Sequence, residues 1–281
     1  MRLRSIVAIC AASVTCAGVA LAQSPVERGA YLVNTIMTCQ NCHTPKGPQG
    51  DIAEKTLAGG IRFDEKAFDV TAPNVTPDRA TGIGNWSDAD IKKALQDGVR
   101  PNGVQLAAVM PSGFYKILIP SDLDAIVAYL RTVKPVNNRV PDPVYKMDLP
   151  LHVFPGSEKP FTAADLNDKV KRGFYLATIG HCMECHTPFG DKGVDYANAM
   201  GKGGREFPGP WGVSTSPNVT SHKTMGIGAW SDAEIKRAIT QGVGKDGRKL
   251  KPPMGYGYYA KMNDEDVDAI VVWLRTVPAK E

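Results

Sequence analysis

Residues 73–99 read PNVTPDRATGIGNWSDADIKKALQDGV and residues 217–243 read PNVTSHKTMGIGAWSDAEIKRAITQGV, with 16 of 27 positions identical and no gap. The same offset of 144 runs outward from that stretch. It joins Gly29 to Gly173, Tyr31 to Tyr175, Phe63 to Phe207, and Leu130-Arg131-Thr132-Val133 to Leu274-Arg275-Thr276-Val277. It falls to 143 only around Cys39 and Cys182, which one short indel explains. The chain is a tandem duplication of a unit of about 110 residues. A period that long means two whole domains, because solenoid repeats run about 20–50 residues. Between the copies, Pro141, Pro143, Pro150, Pro155 and Pro160 mark a stiff, extended linker. The expected division is 23–135 and 164–281 for the two domains, with 136–163 between them.

The first 22 residues stand apart from the duplication. Arg2 and Arg4 form a positive start, Ile6 to Ala12 an apolar stretch, and Ala20-Leu21-Ala22 an A-x-A cleavage site. They read as a secretory signal peptide cut after Ala22, with the rest of the chain exported to a periplasm. The apolar segment is short of the ~20 residues that a span requires, and the remainder holds no such run. Cleavage removes Cys10 and Cys16 and leaves four cysteines, with the formal charge falling from +4 to +2. At 43% hydrophobic and 22% charged the composition is globular, which excludes long disorder and coiled coil. No Lys/Arg cluster suggests a nucleic-acid partner.

Each copy reads as helical. Leu123, Ile126, Val127, Leu130 and Val133 recur at helical spacing, and Val267, Ile270, Val271, Leu274 and Val277 repeat the pattern. Ser87 with Asp90, Ser231 with Glu234, and Ser121 with Asp124 after Pro120 all look like capping boxes. Further helices are expected around Val26 to Met37 and Val170 to Ile179. Strand signals are sparse, and Gly- and Pro-rich loops fill the rest. Each unit therefore has about three helices, a poor core for its size unless a large ligand lies inside.

Cys39-Gln40-Asn41-Cys42-His43 and Cys182-Met183-Glu184-Cys185-His186 are both C-x-x-C-H. That spacing sets two thiols one helical turn apart, where they can add to the two vinyl groups of a haem, with the adjacent His reaching the iron. Zinc would want a second C-x-x-C or an H-x3–5-H per site, which neither copy has. A thioredoxin-like pair would sit in a βαβ context, and no such pattern is present.

The chain resembles a dihaem class I c-type cytochrome, all-α, with two tandem domains of a few helices wrapped around one covalent haem each. It is especially similar to the multihaem cytochrome subunits of bacterial alcohol, aldehyde and related dehydrogenases. The residues behind this are Gly29-Ala-Tyr-Leu, Cys42-His43-Thr44-Pro45, Cys185-His186-Thr187-Pro188, Thr81-Gly-Ile-Gly-Asn-Trp-Ser-Asp-Ala-Asp90 and Leu130-Arg131. The similarity spans both repeats. Those subunits usually carry three haem motifs, whereas this chain has two.

The resemblance implies two haem c groups, held through Cys39, Cys42, Cys182 and Cys185, with His43 and His186 on the iron. The sixth ligand follows from the duplication. Met110 maps to Met254 at offset 144, the two lying 67 residues after His43 and 68 after His186, and no other methionine past Ala22 meets a methionine in the other copy. Both sit beside prolines before the last helix, where class I cytochromes place the axial methionine. In related cytochromes a Trp or Asn near the haem edge often bonds a propionate. Trp86, Trp230, Asn74 and Asn218 are candidates by position, the alternative being that the Trp residues pack in the core and the Asn residues cap turns. Arg62 and Arg205 beside glycine pairs are weaker candidates for the same role.

Two six-coordinate haems leave no open iron position, so the expected task is electron transfer from a dehydrogenase to a downstream cytochrome or oxidase. The alternative is a dihaem enzyme such as a peroxidase, which needs Met110 or Met254 to swing away. A thiosulfate dehydrogenase would need a spare cysteine, and none is left after cleavage.

Overall fold

The computed structural model describes residues 23–147, 151–191 and 193–281. The expected signal peptide, residues 1–22 with Cys10 and Cys16, lies outside them. The first half carries helices α1 (Pro25–Asn34), α2 (Cys39–His43), α3 (Asp88–Asp97), α4 (Ser112–Tyr115) and α5 (Pro120–Thr132). The second half repeats them as α6 (Lys169–Ile179), α7 (Cys182–His186), α9 (Asp232–Gln241), α10 (Tyr256–Tyr259) and α11 (Asp264–Leu274), and adds a short α8 (Tyr196–Ala199). Two helices per half, the C-x-x-C-H turn and the short one after Met110 or Met254, are too brief to show a periodic pattern.

Side-chain caps explain most of the starts. Ser24 with Glu27 opens α1, Ser87 with Asp90 opens α3, and Ser231 with Glu234 opens α9, each as a reciprocal box. The box expected from Ser121 and Asp124 does not form. Helix α5 begins two residues earlier than that cap would set it, at Pro120, whose missing N–H suits the first turn, and Ile119 supplies no side-chain cap. Asp124 pairs instead with Lys92 on α3.

The long helices cross in matched pairs, α1 on α5 and α6 on α11. Gly29 allows the first crossing, since a Cβ there would stand 1.9 Å from the Ala125 carbonyl oxygen. Gly173 does the same against Ala269, at 2.0 Å. Leu123, Ile126, Val127 and Leu130 are buried, as are Val267, Ile270, Val271 and Leu274.

Strands are few and short. Antiparallel hairpins pair β1 (Lys46–Gly47) with β2 (Gly50–Asp51) and β6 (Phe189–Gly190) with β7 (Gly193–Val194). A further hairpin in each half pairs β3 (Arg62–Asp64) with β4 (Phe68–Thr71), and β8 (Glu206–Gly209) with β9 (Gly212–Thr215). The segment expected to be a stiff, extended linker packs against the fold at two places. Its β5 (Val144–Tyr145) joins β4, with Phe68 opposite Tyr145 and Asp69 opposite Val144. Phe154 is only 1% exposed and stacks on Phe114 of α4 with ring centroids 5.1 Å apart. Its edge meets Tyr196 at 5.0 Å. One apolar cluster runs through both halves, from Leu32, Val33 and Ile36 to Leu176, Ile179 and Met183.

Candidate functional site

Each C-x-x-C-H motif is a single helical turn, entered through a residue in the left-handed region, Thr38 at φ 48° and His181 at φ 41°. In α2 and α7 the turn brings the two cysteines of each motif onto one side, and all four thiols are free. Burial pushes Cys39, Cys182 and Cys185 up to about 12 and raises Cys42 as well.

The histidines are held in one tautomer. His43 Nδ1 lies 2.8 Å from the Pro73 carbonyl oxygen, and His186 Nδ1 lies 2.8 Å from that of Pro217. A carbonyl only accepts, so Nδ1 must carry the hydrogen and donate it. Burial lowers both imidazole pKa values, which keeps them neutral. Nε2 is then left with a bare lone pair, the arrangement in which a ligating imidazole is fixed through its other nitrogen.

The repeated Pro-Asn-Val-Thr runs build this support. Gly59 N–H donates to the His43 carbonyl (2.7 Å) and Gly203 N–H to that of His186 (2.8 Å). Both glycines have positive φ, and a Cβ on Gly59 would meet the Ala72 carbonyl oxygen at 2.7 Å. Asn74 donates from Nδ2 to Thr81 Oγ1 and the Val136 carbonyl, while its Oδ1 accepts from the amide and hydroxyl of Thr76. Asn218 donates to the Lys280 carbonyl and accepts from Thr220 in the same way. Both amide hydrogens of Asn74 are thus committed to the loop and to the chain beyond α5. Both side chains also cap their own turns, through the amides of Thr76 and Thr220.

Trp86 and Trp230 pack partly buried at the margin of the core, and their carbonyls accept from Arg131 and Arg275. Arg62 is exposed and forked onto Asp69, and Arg205 donates to the Glu184 carbonyl. Met110 and Met254 both pack partly buried against the core. The short helix after each carries a matched tyrosine that the sequence reading passed over. Tyr115 is buried within electrostatic reach of Cys39 and Cys42, and Tyr259 of Cys182 and Cys185. Burial first, and then those neighbours, raise both phenols. Each short helix thus carries its tyrosine close to its own cysteine turn. The signal was available, because Tyr115 and Tyr259 match at offset 144.

The two sites also adjoin one another. A Cβ on Gly255, next to Met254, would meet Thr38 Cγ2 at 3.3 Å, and Thr38 precedes Cys39. Cys42 and Tyr115 both feel Glu184 of the second turn.

The donor set suits a covalent haem in each half: paired thiols, a neutral imidazole with Nε2 bare, and a thioether from the loop. The Nε atoms of Arg100 and Arg237 are buried with no partner among the described residues, and Arg237 also reaches the carbonyl of Gly244, the repeat mate of Arg100.

Both halves match a known family. The family described as cytochrome c matches residues 26–134 and 170–278. The chain is 32% identical over 275 residues to the fructose dehydrogenase cytochrome subunit of Gluconobacter japonicus, covering 91% of this chain and 53% of that one. It is 30% identical over 293 residues to the alcohol dehydrogenase (quinone) cytochrome c subunit of Komagataeibacter europaeus, covering 93% and 59%. To a diheme cytochrome c-type protein of Cereibacter sphaeroides it is 30% identical over 255 residues, covering 86% and 83%. The chain thus spans little more than half the length of the dehydrogenase subunits and most of the dihaem protein. It belongs to the cytochrome c family, as two tandem cytochrome c domains.

Proposed function

We propose that the chain is an exported electron-transfer protein with two covalent haem c groups, one on Cys39 and Cys42 and one on Cys182 and Cys185. His43 and His186 hold the irons from one side, Met110 and Met254 from the other. The single observation that carries this is the repeated His–carbonyl pair, since a neutral Nε2 beside two free thiols has no other evident task in either half. Iron bound by imidazole and thioether supplies reversible one-electron exchange at high potential. The chain's part is positional. Pro73 and Pro217 orient the imidazoles, the Pro-Asn-Val-Thr loops fix those carbonyls, and the contact of Gly255 with Thr38 sets the two sites side by side for transfer between them.

The relatives named as dehydrogenase cytochrome subunits support a dehydrogenase as donor and a further cytochrome or an oxidase as acceptor. Residues 1–22 support export to the periplasm. No helix among the described residues is long and apolar enough to cross a membrane. The test is a haem count on protein matured in a host with haem-attachment machinery. Acid–acetone should leave the colour on the polypeptide, and the intact mass should exceed that of the chain cut after Ala22 by two haems. One haem, or none, would end the reading.

A further inference from the structure

The entrances to the two cysteine turns touch. A Cβ on Gly180, two residues before Cys182, would stand 2.8 Å from Cδ1 of Ile36, three residues before Cys39. The short helices after the methionines fill the space beside this contact, and each reaches the turn of the opposite half. On α4, the Phe114 ring meets the His181 imidazole edge to face, with centroids 6.4 Å apart, and His181 opens the second turn. At the head of α10, Gly255 lies against Thr38, which opens the first turn. On the same helix Tyr258 donates its hydroxyl to Asp51 of β2 at 3.2 Å.

The residue after Phe114 and the residue after Tyr258 are the buried tyrosines. Tyr115 and Tyr259 are 3% and 7% exposed, and both belong to the apolar cluster that runs through the two halves. A Cβ on Gly255 would meet the Tyr259 ring at 3.5 Å as well as Thr38, so that ring lies beside the first turn. Tyr115 is within electrostatic reach of Tyr259, besides its own cysteines and Glu184 of the second turn. Each tyrosine is therefore close to both turns. The duplication has put one such ring on either side.

We propose that electrons pass between the two haems through this seam, from cysteine turn to cysteine turn, with Tyr115 and Tyr259 as its middle. The inference rests on the dihaem electron-transfer reading. The step moves one electron: iron(II) at one site is oxidised, iron(III) at the other is reduced, and no bond or proton changes place. The chain's part is to keep the path packed, since a void in an interior removes the contacts across it outright. Cysteines of a C-x-x-C-H motif take the vinyl side of a haem, and its carboxylates stand on the opposite side of the macrocycle. The route thus joins thioether edges, not carboxylate edges.

Two measurements on the full chain with both haems test this. In the fully reduced, diamagnetic protein, nuclear Overhauser contacts should join the thioether protons of each haem to the tyrosine ring of its own half. This needs no variant. In the half-reduced protein, internal exchange followed by pulse radiolysis should slow severalfold in Tyr115→Leu/Tyr259→Leu, with the charge-transfer band unchanged. Tyr115→Phe/Tyr259→Phe restores the rings and should restore the rate. Tyr31→Phe/Tyr175→Phe, which removes hydrogen bonds between the halves away from the seam, should leave internal exchange as it is. Thioether protons without contact to the rings, undiminished exchange in the Leu variant, or equal slowing in Tyr31→Phe/Tyr175→Phe would overturn the proposal. Fewer than two haems on the unaltered chain, or haems that small mediators do not reduce, would instead overturn the electron-transfer reading.

Discussion

Tyr31 donates its hydroxyl to Asp266 at 2.6 Å, and its repeat mate Tyr175 donates to Asp122 at 2.7 Å, so each half bonds the carboxylate of the other. Asp122 is forked by Arg28 at 2.8 Å twice, and Asp266 by Arg172 at 2.7 and 2.6 Å. The carboxylates are 3% and 1% exposed. Burial first, and then the carboxylate, push both phenols above their ordinary range, so they remain donors at any physiological pH. The duplication has thus produced a pseudo-two-fold interface from one set of three residues used twice.

Removing either phenolic hydroxyl should leave a buried carboxylate one donor short. Tyr31→Phe and Tyr175→Phe are each expected to cost about 1.5–3 kcal/mol, the range for hydrogen bonds to charged groups. Asp122→Ala should cost more, about 3–5 kcal/mol, because it leaves Arg28 unpaired in a site built for an ion pair. Urea melts of the dihaem protein check this. The double Phe variant should lose about the sum of the two single effects, since it removes both tyrosine–carboxylate bonds between the halves.

Met110→Ala should remove about half of the near-infrared sulfur-to-iron charge-transfer band of the oxidised protein and open one haem to cyanide or carbon monoxide. Met254→Ala should do the same to the other. A full band in either variant would exclude that methionine as a ligand, and a bis-His spectrum in the unaltered protein would exclude both.

Much of this molecule was legible because it is written twice. The offset of 144 pairs Gly29 with Gly173, and both prove to be helix crossings. It also pairs Ser87 with Ser231, and both cap helices. Apart from the repeated Tyr115 and Tyr259, what stayed hidden belongs to single copies or to carbonyls. Residues 136–163 looked like a spacer because prolines dominate them, yet Phe154 is buried between the halves. A backbone oxygen leaves no letter in the sequence, so the role of Pro73 and Pro217 could not be read even though both are repeated. Asn74 is a different case: its side chain closes a loop, bonding Thr81 and the Val136 carbonyl, and those partners could not be read from its repetition.

Arg131 on α5 shows how one residue locks a loop. Its Nη1 donates to the Ile83 carbonyl and Nη2 to that of Trp86, while Nε and Nη2 meet Asp88. Arg275 repeats this with Ile227, Trp230 and Asp232. A lysine keeps the charge but lacks the planar fork. Arg131→Lys is therefore expected to cost about 1–3 kcal/mol by leaving carbonyls short of donors, and thermal melts at two salt concentrations should show that little of the loss is screened.

The thiols give a pH-dependent prediction for the polypeptide before haem is attached. In the folded chain burial holds Cys39, Cys182 and Cys185 at about 12, whereas an unfolded cysteine ionises near 8.5. The folded value is raised, so the unfolded state releases protons first as the pH climbs. The stabilising difference is whole below about pH 8.5 and is lost progressively as the pH rises toward 12. Apo protein, expressed without haem-attachment machinery, should accordingly be less stable at pH 10 than at pH 7 in urea melts. Since the thiolate is the nucleophile, iodoacetamide at pH 8 should label the folded apo chain far more slowly than the same chain in urea. The covalent haem adduct has no thiols left to titrate and should lose this part of the pH dependence. Rapid labelling of the folded apo chain at neutral pH would show that its surroundings do not hold these thiols protonated.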